Sequence, residues 1–224
     1  RWFSPPSGLV LDPFAGGSVR GIVAARLGRS YVGMELRAEQ VEANRSQMHL
    51  VQTEDPAPAW HVGDSRQIAR RLPGVEADFL FSCPPYADLE RYSDDPADLS
   101  TMDYPAFMEA YREVIVGAVS LLKRDRFACF VVGDVREKRG TGPYHNFVSN
   151  TIDAIAKTMV RVRGSYALEL MFRDYPGEIW VARKDSPMII GIANEETYVA
   201  SDVPAILKYT RNVYYIGNLE FAKL

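Results

Sequence analysis

The sequence predicts an α/β fold in which a parallel sheet of five strands is followed by a β-rich C-terminal segment. Short apolar runs alternate with helical periodicity over the first 150 residues, and runs such as 8–11 and 127–133 lack the polar alternation of a half-exposed strand. Such strands are typical of a parallel sheet covered by helices on both faces. Strand and turn signals dominate after about residue 153, so we divide the chain into 1–152 and 153–224.

Local signals order the elements of the first part. Strands are expected at 8–11, 31–36, 61–62, 78–82 and 127–133, and the main helices at 19–27, 38–51 and 105–122. Gly28 is a natural helix stop. Asp103 or Thr101 caps the third helix, which has Pro105 in its first turn. The acidic loop 88–98 is interpreted as a solvated connection, with ordering over a substrate as the alternative.

The second part is interpreted as a series of β-strands. They are expected at 166–172, 178–183, 188–193, 197–200, 212–216 and 219–224. Pro176 and Gly177 are expected to form the turn between the first two strands, and Gly217 and Asn218 the turn between the last two. We expect the first hairpin to dock beside the strand 127–133 and cover its edge. The rival arrangement is a separate small sheet of residues 165–224.

Composition and charge limit the function classes. The chain has 26 Lys and Arg against 29 Asp and Glu, a formal net charge of −3. Clustered cations that would neutralise phosphates are missing, which predicts weak or poorly specific contact with DNA. No stretch approaches the roughly 18–20 apolar residues of a membrane span. We therefore expect a cytoplasmic protein without a membrane partner, of unknown oligomeric state.

Neither the cysteines nor the histidines suggest a metal centre. Cys83 and Cys129 have no metal or redox spacing, and the three histidines have none either, so no metal is expected. The chain begins with Arg1 rather than Met, and we expect natural residues to be missing before it.

Acidic residues and glycines follow the expected strands. Asp12 ends the first strand, Glu35 the second and Asp64 the third. Because the carboxyl ends of parallel strands meet at one edge, we expect these residues to surround a ligand. Gly16 and Gly17 allow close approach of the backbone to that ligand. Glu35 is suited to accept ribose hydroxyls, or is a solvated carboxylate; Asp64 contacts a ligand, caps a helix, or does both.

The string Ser82-Cys83-Pro84-Pro85-Tyr86 follows the fourth strand. The exocyclic amine of a base is a poor nucleophile because its lone pair is delocalised into the ring. A polar side chain and the carbonyl of Pro84 would accept the hydrogens of such an amine, and Tyr86 would stack on the extruded base.

Together, Asp12-Pro13-Phe14-Ala15-Gly16-Gly17-Ser18 and Ser82-Cys83-Pro84-Pro85-Tyr86 resemble the phage and bacterial S-adenosylmethionine-dependent DNA amino-methyltransferases. The resemblance implies a Rossmann-like methyltransferase domain over 1–152, S-adenosylmethionine as cofactor, and methyl transfer to N6 of adenine or N4 of cytosine. It assigns cofactor binding to Asp12, Phe14, Gly16, Gly17, Glu35 and Asp64, and catalysis to Cys83, Pro84, Pro85 and Tyr86. Two positions depart from the pattern: Ser18 replaces a glycine, and Cys83, a weak acceptor, replaces Asp, Asn or Ser.

Three strings of the second part, 163–168, 179–184 and 200–207, resemble the later part of the glutaminase domain of glutamine-fructose-6-phosphate aminotransferase. The nucleophile of that family is a cysteine at the mature N-terminus, whereas this chain starts with Arg1 and has internal cysteines. Two alternatives to a methyltransferase therefore remain: an inactive aminotransferase fragment, or a fusion without selected function. The joint lies in an expected helix, 147–163, without the linker usual at domain borders.

Overall fold

The computed structural model describes residues 3–136, 143–161, 166–172, 175–194 and 196–224. Its centre is a sheet with the strand order β3-β2-β1-β4-β5, in which all neighbouring strands are parallel. These strands are β1 (Leu9–Asp12), β2 (Ser30–Glu35), β3 (Ala59–Val62), β4 (Ala77–Ser82) and β5 (Leu122–Phe130). The predicted α/β fold with five parallel strands is confirmed.

Helices cover both faces of this sheet, because successive strand residues alternate between two apolar clusters. The helices are α1 (Val19–Arg26), α2 (Ala38–Ser46), α3 (Ile68–Arg71), α4 (Tyr104–Ser120) and α5 (Phe147–Arg161). Val10 belongs to a cluster with α1 and α2, whereas Leu11 belongs to a larger cluster with α3, α4 and α5. Helix α5 runs across the expected domain border at 152; the expected helical residues 162 and 163 lie outside the described residues.

The helix signals of the sequence act as expected. The Asp103 carboxylate accepts a hydrogen bond from the N–H of Ala106 at 2.9 Å, and so caps α4 with Pro105 in its first turn. Gly28 follows α1 with a φ of +71°, where glycine is favoured.

Strand β5 begins five residues earlier than the apolar run 127–133 suggests. Its first half carries charged residues that pair with the edge of β4: Lys123 and Arg126 contact the Asp78 carboxylate at 3.0 and 3.1 Å. Ion pairing with a distant residue therefore extends a strand whose own sequence is polar.

The C-terminal segment forms two antiparallel sheets of three strands, β13-β9-β8 and β11-β10-β12. A short pair, β6 (Val135–Arg136) with β7 (Tyr144–His145), precedes α5. The remaining strands are β8 (Tyr166–Phe172), β9 (Tyr175–Lys184), β10 (Ile189–Ile192), β11 (Thr197–Ala200), β12 (Val213–Tyr215) and β13 (Phe221–Lys223).

Both expected turns of this segment are placed differently. Pro176 and Gly177 lie inside β9, where the pairing with β8 shifts in register. β12 and β13 are not a hairpin around Gly217 and Asn218, because β12 pairs with β10 and β13 with β9. The Asn218 side chain instead accepts from the N–H of Asp185 at 2.7 Å, which ties the connection to the end of β9.

The hairpin of β8 and β9 lies alongside β5, as expected, but the strand pairings of the described residues assign it to a sheet separate from the parallel one. A separate sheet is what the rival arrangement predicts, so the expectation that the hairpin covers the edge of β5 as part of the same sheet is not confirmed. Side chains still join the two parts: Phe127 of β5 packs against a cluster containing Val181, and Ala182 belongs to the main cluster under the parallel sheet. The C-terminal segment is thus part of the packed body of the protein.

Candidate functional site

A cavity of about 480 Å³ lies at the carboxyl edge of the parallel sheet, over the switch in strand order between β1 and β4. Small-molecule sites have volumes in this range, and parallel sheets bind ligands at this edge. The predicted site residues that line it are Phe14, Gly16, Gly17, Glu35, Asp64, Cys83, Pro84, Pro85 and Tyr86. The structure thus gathers every predicted site residue except Asp12 around one cavity.

The glycine loop after β1 is tied to the end of β2. Gly16 has a φ of +52°, and its N–H donates to Glu35 Oε2 at 3.0 Å. Glu35 Oε1 accepts from the N–H of Arg37, also at 3.0 Å. Each carboxylate oxygen has two lone pairs, so each retains one for a ligand. Gly17 has open space where a Cβ would stand, which leaves its backbone accessible.

Asp12 lies behind this loop and does not line the cavity. Its carboxylate is fully buried and accepts hydrogen bonds from Arg20 Nε at 2.6 Å, the Tyr31 hydroxyl at 2.9 Å and the N–H of Phe14 at 3.1 Å. Arg20 Nη2 in turn donates to the carbonyl oxygens of Phe14 and Ala15, the latter at 2.9 Å. Asp12 and Arg20 therefore form an ion pair whose guanidinium holds two carbonyl groups of the loop.

Burial dominates the electrostatics of this cluster. It raises the pKa of Asp12 above its usual range, while the charge of Arg20 and the hydrogen bond from Tyr31 oppose the rise. Burial, with the negative charge of Asp12, also raises the pKa of Tyr31 well above its usual value. Tyr31 consequently remains a hydroxyl donor at neutral pH.

Asp64 has the structural role that its position after a strand allows. Its Oδ1 accepts from the N–H of Arg66 at 2.9 Å and caps the 3-10 turn that follows. The Arg66 guanidinium pairs with Oδ2 at 2.7 Å. The alternative of a cap is confirmed, and Asp64 also lines the cavity. Next to it, the Ser65 hydroxyl donates to the Pro13 carbonyl and joins the loops after β3 and β1.

The loop 83–86 is held by contacts with residues that come later in the chain. The Tyr86 ring meets the ring of Phe147, the first residue of α5, edge to face with 5.8 Å between centroids. The Tyr86 hydroxyl donates to the Val131 carbonyl at 3.5 Å, and Pro84 is buried. Tyr86 is therefore positioned by residues that follow it by 45 positions and more.

Ser82 cannot substitute for Cys83 in this geometry. Ser82 is fully buried, does not line the cavity, and its hydroxyl has no hydrogen-bond partner within the part of the chain that the structure describes. The half-buried Cys83 does line the cavity. The groups of this loop available to an amine are thus the Cys83 thiol and the backbone.

The acidic loop 88–98 is largely exposed, as interpreted, but part of it also belongs to the cavity wall. Tyr92, Ala97 and Asp98 line the cavity, together with Leu99, which follows the loop. Asp98 is buried, and three hydrogen bonds compensate the burial of its carboxylate, which accepts from Ser93 Oγ at 2.8 Å, Ser100 Oγ at 2.7 Å and the N–H of Ser100 at 2.9 Å. The available signal was the cap that Asp98 provides for a 3-10 turn.

Tyr92 contributes a neutral hydroxyl to the mouth of the cavity. Burial, with a hydrogen bond to Glu90 Oε2 at 3.0 Å, raises the pKa of Tyr92 to about 12. Other lining residues that no predicted motif marks include Arg20, Arg37 and Gln40. Their positions within five residues of the glycine loop or of the end of β2 were the signal that could have identified them.

The described residues contain neither a metal-binding cluster nor a helix that could span a membrane. No group of three or more His, Cys, Asp and Glu side chains there could hold a metal ion. No helix among them has the length and apolar character needed to cross a membrane.

Comparison with known families confirms both resemblances. A sequence model of the N6_N4_Mtase family, described as DNA methylase, matches residues 1–46, which contain the glycine loop and Glu35. Over 79 residues the chain is 48% identical to glutamine–fructose-6-phosphate aminotransferase of Caldanaerobacter subterraneus subsp. tengcongensis, covering 35% of this chain and 13% of that protein. The same enzyme of Pyrococcus horikoshii is 47% identical over 72 residues, or 32% of this chain and 12% of that protein. The chain thus spans about an eighth of the length of these relatives.

Solved structures with a similar arrangement include methyltransferases. The TehB-like SAM-dependent methyltransferase of Corynebacterium glutamicum aligns over 69% of this chain and 66% of that chain, with 13% identity and a TM-score of 0.45. Magnesium protoporphyrin IX methyltransferase of Synechocystis PCC 6803, solved with bound SAM, aligns over 70% and 59%, with 15% identity and a TM-score of 0.43.

Proposed function

We propose that residues 1–152 bind S-adenosylmethionine at the glycine loop and transfer its methyl group to the exocyclic amine of a DNA base, at N6 of adenine or N4 of cytosine. One observation carries the proposal: the glycine loop with Glu35 and the loop 83–86 border the same cavity. A donor at the first loop and an acceptor at the second would then be neighbours, as group transfer requires.

The residues at the glycine loop fit the methyl donor. Gly17 leaves open space beside the backbone, and Glu35 keeps one lone pair on each oxygen for ribose hydroxyls. Asp64, which lines the cavity, would accept from the adenine amino group in competition with the Arg66 guanidinium, which contacts both of its oxygens. Phe14 and Gly16 complete the wall. When bound, S-adenosylmethionine would supply a methyl group activated by its sulfonium charge.

The acceptor end of the cavity suits a planar group. Tyr86 offers an aromatic face for stacking, and its ring is fixed against Phe147. The Pro84 carbonyl would accept an amine hydrogen and orient the nitrogen, while Cys83 supplies a weaker acceptor. Pro85 restricts the backbone of this loop.

We further propose that residues 153–224 serve here as packing elements rather than as a glutaminase. Their strands share clusters with β5 and the main core. Cys129 of β5 is not suited to nucleophilic chemistry, because burial and the nearby charge of Glu169 raise its pKa to about 11. Cys83 belongs to the cavity already described.

We expect the Glu35→Ala variant to bind S-adenosylmethionine more weakly by about 1–3 kcal/mol, or roughly 5- to 150-fold in Kd. The change removes charge-assisted hydrogen bonds to the ribose and the support of the Gly16 N–H. Isothermal titration of the full chain measures the affinity, and transfer of a labelled methyl group to DNA then tests the reaction.

Glu42→Ala is the matched control for Glu35→Ala. Glu42 lies on α2 with a side chain 78% exposed and does not line the cavity, yet the charge change is identical. Its Kd should equal that of the unmutated chain. Absence of binding by the unmutated chain at millimolar ligand would refute the proposal, as would an equal loss in both variants.

Contact with DNA is expected to be weak and to fall steeply with salt. The exposed loop beside the cavity carries Glu90, Asp94 and Asp95, which repel phosphates. Fluorescence polarisation of a labelled duplex from about 50 to 200 mM salt should show affinity lost across this range, with little preference for sequence. Tight binding to one duplex that persists at the higher salt would contradict this prediction.

A further inference from the structure

We propose that Asp12 is a positioning residue, which acts through Arg20 to shape the glycine loop and, through the loop, Glu35, without contacting the methyl donor. The inference rests on the proposed donor site and assigns Asp12 a role different from that of a ligand for the donor's amino group. Its basis is the place of the Asp12 carboxylate, which is fully buried behind the loop and does not line the cavity, whereas its partner Arg20 does.

The contacts form a continuous path from Asp12 to Glu35. Asp12 Oδ2 holds Arg20 Nε at 2.6 Å, and Arg20 Nη2 holds the Ala15 carbonyl at 2.9 Å. The next residue, Gly16, donates its N–H to Glu35 Oε2 at 3.0 Å. A change in the ion pair would therefore move the peptide that orients the carboxylate.

A direct contact between Asp12 and the donor's amino group is disfavoured by the same geometry. The carboxylate already accepts from Arg20, Tyr31 and the N–H of Phe14, and its residue is fully buried. Oδ1 retains one lone pair, but an incoming amino group could reach it only by moving the loop that buries the carboxylate. The loop is held by Arg20 and by the bond from Gly16 to Glu35, and one new contact does not offset the loss of those bonds.

The two roles predict that a substitution of Asp12 weakens the binding of different sets of ligands. If Asp12 holds the amino group, its loss affects ligands that carry the amino acid and spares those that lack it. If Asp12 acts through Glu35, its loss affects every ligand with a ribose by the same factor. S-adenosylhomocysteine and 5′-methylthioadenosine form such a pair, because the second lacks the amino acid.

The experiment measures Kd for both ligands with the unmutated chain, Asp12→Asn and Arg26→Met. Asp12→Asn keeps the size of the side chain and removes its charge, while Arg20, which lines the cavity, stays in place. Arg26 is an exposed arginine on the same helix as Arg20 and serves as the control. We expect Asp12→Asn to weaken both ligands by the same factor, about tenfold, and Arg26→Met to change neither. A loss confined to S-adenosylhomocysteine would overturn the inference in favour of direct contact.

Hydrogen exchange at the Gly16 amide tests the same inference without a ligand. In Asp12→Asn this amide should exchange about tenfold faster, because its bond to Glu35 is loosened. The Phe107 amide, bonded in α4 to the Asp103 carbonyl at 2.8 Å, should be unchanged. Unaltered exchange at Gly16 would overturn the inference even if the chain bound neither nucleoside; absence of binding with faster exchange would instead refute the proposed function alone.

Discussion

Replacing Arg20 with methionine is expected to lower the free energy of unfolding by about 3–5 kcal/mol at neutral pH. The substitution leaves the fully buried carboxylate of Asp12 without its charged partner, with hydrogen bonds only from Tyr31 and Phe14. It also frees the carbonyl oxygens of Phe14 and Ala15 from the guanidinium. Methionine retains much of the volume of the side chain, so lost charge rather than lost packing dominates the effect.

The loss should depend on pH in one direction. Burial already raises the pKa of Asp12 in the folded chain, and removal of Arg20 takes away the charge that opposes this rise. The folded variant then binds a proton more readily than the unfolded one, so its stability is preserved below the ordinary pKa of an aspartate. That stability is lost as pH rises through the raised pKa. The deficit of Arg20→Met relative to the unmutated chain should accordingly be largest near neutrality and shrink in acid.

Urea unfolding at several pH values measures both effects. Adding Asp12→Asn to Arg20→Met should recover most of the stability at neutral pH, because the uncompensated charge is gone. Arg26→Met, an exposed substitution of the same kind, should leave the free energy of unfolding unchanged within about 0.5 kcal/mol. A single variant as stable as the unmutated chain at neutral pH would show that the ion pair has no net role.

Local signals were sufficient for the parallel sheet and most of its ligand edge. Apolar runs identify the buried strands. Because the carboxyl ends of parallel strands meet at one edge of the sheet, the residues that follow Glu35 and Ser82 are then expected at that edge. What they could not give is the direction of a side chain. Asp12 ends β1 as predicted, yet it is turned inward by Arg20, a residue eight positions later. Its partner is encoded by the start of α1 and not by the glycine motif.

Pairings between distant strands account for the errors in the C-terminal segment. Pro176 with Gly177 and Gly217 with Asn218 are strong turn signals. In the structure the first pair lies in an irregular part of β9, and the second connects strands of two different sheets. Turn residues report local conformation only, whereas the choice of partner depends on apolar surface contributed from elsewhere.

The two parts of the chain also meet at the site. Helix α5 contains the expected domain border, and its first residue, Phe147, contacts Tyr86. The loop 83–86, which we propose receives the base, therefore packs against the helix that leads into the segment resembling the aminotransferase. This dependence suggests a stringent test of whether the chain behaves as one packed unit.

Replacing Phe147 with alanine is expected to lower the free energy of unfolding by about 3–5 kcal/mol. Phe147 is fully buried, and its ring lies 5.3 Å from that of Phe107 and 5.4 Å from that of Tyr111, measured between centroids, in addition to the contact with Tyr86. The substitution opens a cavity among these rings that the neighbouring helix α4 cannot fill without moving. Chemical denaturation of the full chain provides the measurement.

Phe221→Ala is the matched control for this substitution, since Phe221 is 60% exposed in β13 and its loss should cost less than about 1 kcal/mol. Phe147→Leu, which restores most of the apolar volume, should recover more than half of the stability. In the folded fraction of Phe147→Ala, methyl transfer should fall more than donor affinity, because Phe147 contacts Tyr86 and not Glu35. Equal losses of stability in Phe147→Ala and Phe221→Ala would instead show that α5 contributes little to the core. The loop 83–86 would then not depend on the segment that follows α5.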